Sequence, residues 1–119
     1  RFPLVVTATT SRTPVVRGPL RPDALLCAVG AFTPEMAEVS PQVIQQSRVV
    51  VDTLGGAETE AGDLIQAAAA GWDFSRAEAL ETLLNGSKTR FPRPTVFKSV
   101  GHALFDLAAA DVAFGGPVS

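Results

Sequence analysis

Residues 48–52 read Arg-Val-Val-Val-Asp, a β-branched run in which no polar residue alternates with the apolar ones. β-Branched side chains suit a pleated strand better than a helix. A strand that is apolar at successive positions, rather than at every second one, is covered on both faces, as in a parallel sheet. The run therefore predicts a strand over Arg48–Asp52 in a largely parallel sheet. Just before it, Ser40-Pro41 supplies an N-cap hydroxyl and a proline at the first helical position, where a missing N–H costs nothing, so a short helix through Gln46 is expected.

The same reading extends outward. Leu4–Thr7 is a β-branched run ending in the polar cluster Thr9-Thr10-Ser11, and Leu25–Val29 is a second apolar run stopped by Gly30. After Gly55-Gly56, the stretch ETEAGDLIQAAAAG repeats Leu64, Ile65 and Ala68 at helical spacing up to Gly71. Ser75 and Glu78 form a capping-box pattern that predicts another helix, carrying Leu80, Leu83 and Leu84 to a stop at Asn85-Gly86. The prolines of RFPRP, residues 90–94, forbid regular structure. A strand resumes over Thr95–Phe97, and a last helix from about His102 places Leu104, Leu107, Ala108 and Val112 on one face. Strands alternating with helices predict an α/β fold with a doubly wound, largely parallel sheet, right-handed crossovers and a ligand site at the carboxyl ends of the strands.

Composition narrows the function classes. With 119 residues, 46% hydrophobic and 18% charged, the chain holds one modest core and reads as a single globular unit. A net charge of −2 with scattered Lys and Arg lacks the basic stripe that nucleic-acid binding uses, so no nucleic-acid partner is expected. No apolar run reaches the ~20 residues that cross a bilayer, no leader pattern is visible, and the expected location is the cytoplasm. Cys27, the only cysteine, is expected to be a small buried hydrophobe. The opening RFPLVV has no initiator methionine and enters a strand at once, which is expected of a fragment.

Three strand ends carry small polar residues: Thr7-Ala8-Thr9-Thr10, Val29-Gly30-Ala31 and Ser99-Val100-Gly101. Each leaves hydroxyls and backbone N–H groups open to a ligand across the sheet edge, and the three together outline one crevice. Taken singly, each is also ordinary turn chemistry. The usual catalytic inventory is thin. His102 is the only histidine and is expected on the surface of a first helical turn, no nucleophile elbow is present, and no His or Cys set suits a metal. Glu35 with Glu38, and Glu58, Glu60 and Asp63, are expected to be solvated or to favour helix N-termini. Arg12, Arg17 and Arg21 are expected on the surface, and Trp72 and Phe74 in the core. No G-x-G-x-x-G phosphate loop occurs.

The ordered blocks VVTATTSRTPVV, AVGAFTPEMAE, VVVDT…EAGDLIQA and TVFKSVGHALFDLAAA resemble the ornithine cyclodeaminase/mu-crystallin family. EAGDLIQA and the phenylalanine of VGAF are most similar to its bacterial branch that reduces cyclic imino acids such as Δ1-pyrroline-2-carboxylate. The resemblance covers nearly the whole chain. It implies the second half of a Rossmann-like NAD(P)-binding domain, with the glycine-rich half and a substrate and dimerisation domain lying outside these residues. It also implies NAD or NADP as cofactor, a small cyclic imino acid as substrate and a homodimeric parent.

Residue by residue, the resemblance puts Thr9 and Ser99 against the dinucleotide, Val29, Gly30 and Ala31 along the nicotinamide, and Val100 beside the substrate. It identifies no catalytic acid in this chain. Where the cyclodeaminases carry an aspartate and a lysine, this sequence has Phe32 and Met36, which disfavours ammonia elimination from ornithine. The readings carried forward are an imine reductase, a cyclodeaminase and a non-catalytic small-molecule binder of the mu-crystallin kind. Half of such a sheet is expected to leave a strand edge and one sheet face uncovered.

Overall fold

The computed structural model describes residues 2–86 and 93–116. Among them are strands β1 (Leu4–Thr7), β2 (Leu25–Ala28), β3 (Arg48–Val51), β4 (Ala77–Ala79) and β5 (Thr95–Lys98). Helices α1 (Pro41–Gln46), α2 (Leu54–Glu60) and α3 (Gly62–Ala69) flank β3 in sequence, α4 (Leu80–Asn85) follows β4 directly, and α5 (Ala103–Ala113) follows β5. The strands form one sheet in the order β1-β2-β5-β3-β4, and all paired neighbours run parallel. The alternation of strands and helices thus yields the expected α/β architecture.

The valine run behaves as its composition requires. β3 lies between β5 and β4, and Val49, Val50 and Val51 are all buried. Val49 and Val51 join Leu26, Ala28 and Val96 on the face covered by Val43 and Ile44 of α1, Ala57 of α2, and Leu64 and Ala67 of α3. Each fully buried Val, Leu or Ile in this layer contributes about 1.5–3 kcal/mol. Trp72 closes one end of it, 3% exposed, with the Phe74 ring edge-on at 5.2 Å. Val50 points to the opposite face, where it lines an apolar cavity of about 280 Å³ together with Leu80 and Leu83 of α4.

Three elements differ from expectation. The segment from Ser75 to Asn85 is not one helix. Asp73, not Ser75, caps a 3-10 turn over Phe74–Arg76, and Ala77–Ala79 then pairs with Val49–Val51 as an edge strand. Ala-Glu-Ala has no strand preference of its own; the open edge of β3 supplies it, and Arg48 binds Glu78 across the pair at 2.6 and 2.8 Å. The helix expected after Gly55-Gly56 starts earlier, capped by the Thr53 hydroxyl, and takes in both glycines. It breaks at Ala61, whose ψ is 90°, and restarts as α3. A β-carbon on Gly62 would run into the Met36 and Thr33 carbonyls, so glycine lets α3 start against that loop. The α1 start matches expectation: the Ser40 hydroxyl accepts the Val43 N–H at 3.3 Å. The irregular stretch expected at 90–94 lies outside the described residues as far as Pro92.

One sheet face and α5 are sparsely covered by the described residues. Leu4 and Val6 of the edge strand β1 are 59% and 63% exposed. Leu104, Leu107 and Val112, expected on one face of the last helix, are exposed. Cys27 lies on this same face, half-buried beside Leu25 and Phe97 rather than in the closed core.

Candidate functional site

The sheet register sets the geometry. Thr7, Ala28, Lys98 and Val51, the last residues of β1, β2, β5 and β3, lie side by side. The chain therefore leaves these strands at one level, and the ends at Thr9, Val29–Ala31 and Ser99–Gly101 share a rim in the order β1, β2, β5. Sequence had singled out these three ends; the parallel pairing makes them neighbours.

Beneath the rim lies a carboxylate that sequence had assigned to solvent or to a helix N-terminus. Glu38 is fully buried. Its Oε2 accepts the Thr7 hydroxyl at 3.0 Å and the Gly30 N–H at 2.8 Å, and its Oε1 accepts the Thr9 N–H at 2.5 Å. Burial alone pushes its pKa up, but the N–H groups of Thr9 and Gly30 and the Thr7 hydroxyl outweigh that and hold it below the usual glutamate value. Residues 31–39 form no helix. They run beneath the long β1–β2 connection, whose Val15 and Val16 N–H groups both reach the Glu38 carbonyl at 2.8 Å. Glu38 is therefore neither solvated nor placed at a helix N-terminus, the two alternatives expected for it. Gly30 follows from the same contact, since a β-carbon there would overlap the Thr9 backbone and the Glu38 carboxylate.

A second buried acid supports the first. Oδ1 of Asp63 accepts the backbone N–H groups of Glu38 at 2.5 Å and Val39 at 2.9 Å, while Oδ2 faces Lys98 Nζ at 3.3 Å. Both side chains of this ion pair are wholly buried. Burial is the largest influence on Asp63 and raises its pKa, against the lowering effects of the Val39 N–H, Lys98 and the Glu38 N–H. Glu58 and Glu60 are exposed as expected, but Asp63 is not, because it sits on the first turn of α3 facing the sheet.

A third acid shapes the β5 end. Asp52 Oδ2 accepts the Ser99 hydroxyl at 2.9 Å and the N–H groups of Val100 at 3.1 Å and Gly101 at 3.0 Å; its Oδ1 accepts the Thr53 N–H at 2.8 Å. Gly101 has φ of 86°, which favours glycine and lets consecutive N–H groups converge on one oxygen. Gly56 completes this corner. A β-carbon there would come within 2.7 Å of the Thr53 hydroxyl and 3.2 Å of Val100.

Of the expected site residues, Thr9 and Val29 are exposed, and Ser99 and Val100 are half-buried on the rim. Gly30 and Ala31 are buried, so the side-chain surface of that segment is offered by Val29 and by Phe32, 48% exposed. His102 is exposed and caps α5, its Nδ1 accepting the Leu104 N–H at 3.1 Å. Sequence reasoning missed Glu38, Asp52, Asp63 and Lys98. One signal was present: in Thr95–Lys98, strict alternation puts Lys98 on the same face as the buried Val96.

The family model for the ornithine cyclodeaminase/mu-crystallin family matches residues 1–115. The chain belongs to that family. Within the ornithine cyclodeaminase/mu-crystallin family, Δ1-pyrroline-2-carboxylate reductase 1 of Burkholderia multivorans is 46% identical over 110 residues, which are 92% of this chain and 34% of that protein. The Δ1-pyrroline-2-carboxylate/Δ1-piperideine-2-carboxylate reductase of Azospirillum brasilense matches with the same identity and coverage. A solved structure of Thermococcus litoralis Δ1-pyrroline-2-carboxylate reductase, in complex with NADH and L-proline, superposes with a TM-score of 0.81 at 29% identity. That superposition covers 94% of this chain and 36% of the other. The chain thus spans about a third of the length of the curated relatives it matches.

Proposed function

We propose that this chain is the nicotinamide-side part of an NAD(P)H-dependent reductase of cyclic imino acids of the Δ1-pyrroline-2-carboxylate type. The observation that carries the reading is the rim itself. Thr9, Val29 and Ser99 stand at neighbouring carboxyl ends of a parallel sheet, held by the buried Glu38 and Asp52, in a chain 46% identical to reductases of that name. Ligands of open α/β sheets bind at such carboxyl ends.

The residues present fit the nicotinamide end of a dinucleotide: an exposed Val29 wall, a Thr9 hydroxyl and a Ser99 oxygen lie along one edge. They do not include a glycine-rich pyrophosphate loop. In this reading that loop, and the basic groups that take the substrate carboxylate, belong to the remainder of a homodimeric cytoplasmic protein. The domain division is therefore residues 1–119 as the later half of the cofactor domain with its terminal helix.

When bound, the reduced nicotinamide supplies the hydride that the imine carbon accepts. The part played by this chain is placement. Asp52 fixes the turn that carries Ser99 and Val100, Ser99 orients the nicotinamide, and Val100 borders the substrate ring. Glu38 fixes the spacing between the Thr9 and Gly30 backbones. Phe32 adds an apolar surface and no proton transfer, which suits reduction of a ring imine better than elimination of ammonia.

The test is oxidation of NADH or NADPH by the complete protein, dependent on Δ1-pyrroline-2-carboxylate. Ammonia release from ornithine without that activity would establish a cyclodeaminase instead. Neither activity, with tight binding of an aromatic ligand, would establish a binder. A Phe32→Asp variant is expected to gain no reductase rate.

A further inference from the structure

The buried charges beneath the rim do not balance. Among the described residues, the buried ionisable side chains are Glu38, Asp52, Asp63 and Lys98. Lys98 faces Asp63 at 3.3 Å, and the charges of that pair cancel. Glu38 and Asp52 have no cationic partner, since the ion pairs of the described residues are Arg21–Asp23, Arg48–Glu78 and Lys98–Asp63. The donors on Glu38 are the Thr7 hydroxyl and the N–H groups of Thr9 and Gly30. Those on Asp52 are the Ser99 hydroxyl and the N–H groups of Thr53, Val100 and Gly101. Such dipoles stabilise a carboxylate without cancelling its charge. Both charges therefore lie directly behind the backbone that forms the rim.

We infer that Glu38 and Asp52 give the rim a standing negative charge that favours a cationic ring over a neutral one of the same shape. The inference rests on the proposed dinucleotide site. Hydride transfer there moves two electrons and one hydrogen to the imine carbon; the C=N π pair goes to the imino nitrogen, which takes a proton from water, and the nicotinamide is left with one positive charge. Glu38 and Asp52 stabilise that charge as it forms, and their fixed backbone donors spare them reorganisation during the step. Both act through their field rather than by contact. At an effective dielectric of about 20, a unit charge changes a binding constant about tenfold out to about 12 Å. The Lys98–Asp63 pair, being neutral as a whole, adds little to this field. Two carboxylates given only a clamping role in the fold are thus assigned a part in the energetics of the reaction.

The experiment measures dissociation constants of the complete protein for NAD+ and NADH by calorimetry, with NADP+ and NADPH as a second pair. The quantity read is the ratio of the oxidised to the reduced constant, in which any loss of rim order common to both forms cancels. Glu38→Gln is expected to raise that ratio about tenfold. Asp52→Asn keeps an oxygen for the Ser99 hydroxyl and the N–H groups of Val100 and Gly101, and is expected to raise it by a similar factor. Glu78→Gln serves as the control. Its carboxylate is 41% exposed beside Arg48, which opens β3 at the end opposite the rim, so the ratio is expected to stay within about twofold of wild type. Thermal melting shows which variants are folded at the assay temperature; where Glu38→Gln is not, Asp52→Asn decides. A ratio within about twofold of wild type in a folded rim variant, or an equal rise in Glu78→Gln, overturns this inference alone. Wild type that binds no dinucleotide overturns the reductase reading as well.

Discussion

Replacing Glu38 with glutamine keeps the side-chain length and removes the charge on which the rim is built. In the wild type, Oε2 serves the Thr7 hydroxyl and the Gly30 N–H, and Oε1 serves the Thr9 N–H. Glutamine has one acceptor oxygen. Its best placement keeps the two Oε2 bonds as neutral ones and turns its –NH2 toward the Thr9 N–H, donor against donor. Hydrogen bonds to charged groups contribute about 1.5–3 kcal/mol and neutral ones about 1, while an unmet buried donor costs about 1–3. Relief from burying a charge offsets part of this, leaving an expected loss of about 3 kcal/mol at neutral pH.

Equilibrium urea unfolding of both proteins measures that loss, with equal slopes showing that the denatured states are comparable. The pH dependence gives an independent check. The folded-state pKa of Glu38 lies below the ordinary glutamate value of 4.5, so its contribution is complete above that value and is lost as pH falls through the lowered one. Asp63 acts in the opposite direction. Its raised pKa means the native state takes up protons first, so its contribution improves as pH falls toward 3.8. Asp63 is present in both proteins, and its effect cancels in the difference. The gap between wild type and Glu38→Gln is therefore expected to be flat near neutrality and to close in acid. A loss under about 1 kcal/mol, or a gap that stays constant into strong acid, would refute the assignment of Glu38 as the ionised clamp of the rim.

Gly30→Ala is expected to cost about 3 kcal/mol in thermal or urea unfolding, because its β-carbon must displace either the Thr9 backbone or the Glu38 carboxylate. Asp63→Asn strands a buried ammonium at Lys98 and is expected to cost about 3–5 kcal/mol. Lys98→Met should cost less, since the Asp63 carboxyl, its pKa already raised by burial, can protonate while Oδ1 keeps its two N–H donors; a double-mutant cycle reads the coupling. Glu78→Gln is expected to cost only about 0.5 kcal/mol despite the short contacts to Arg48, because the Glu78 side chain is 41% exposed and solvent screens the pair. Urea titration of that variant beside Asp63→Asn shows whether burial, rather than distance, ranks the two ion pairs.

Some of this was legible residue by residue. The Val49–Val51 run marked a strand covered on both faces, Ser40-Pro41 marked the start of α1, and the small residues after three strands marked the rim. β4 was not legible, because Ala77–Ala79 carries no strand preference and takes its conformation from the open edge of β3. The burial of Glu38 and Asp63 was hidden for a related reason. An acidic side chain in sequence carries no mark of the hydroxyl and backbone N–H groups that will converge on it, and those donors come from residues up to 31 positions away.

By itself, the sequence determined which segments are strands with buried faces, which small residues end them, and the family to which the chain belongs, since those depend on local pattern and residue order. Only the tertiary structure decided the strand order β1-β2-β5-β3-β4 and the level ends that bring Thr9, Val29 and Ser99 onto one rim. It also decided the role of Asp52. A carboxylate at the end of a strand is ordinary until the next strand delivers a hydroxyl and two N–H groups to the same oxygen. Pairing across the sheet is a long-range event, and the direction in which Ser99 donates its proton is fixed by that event.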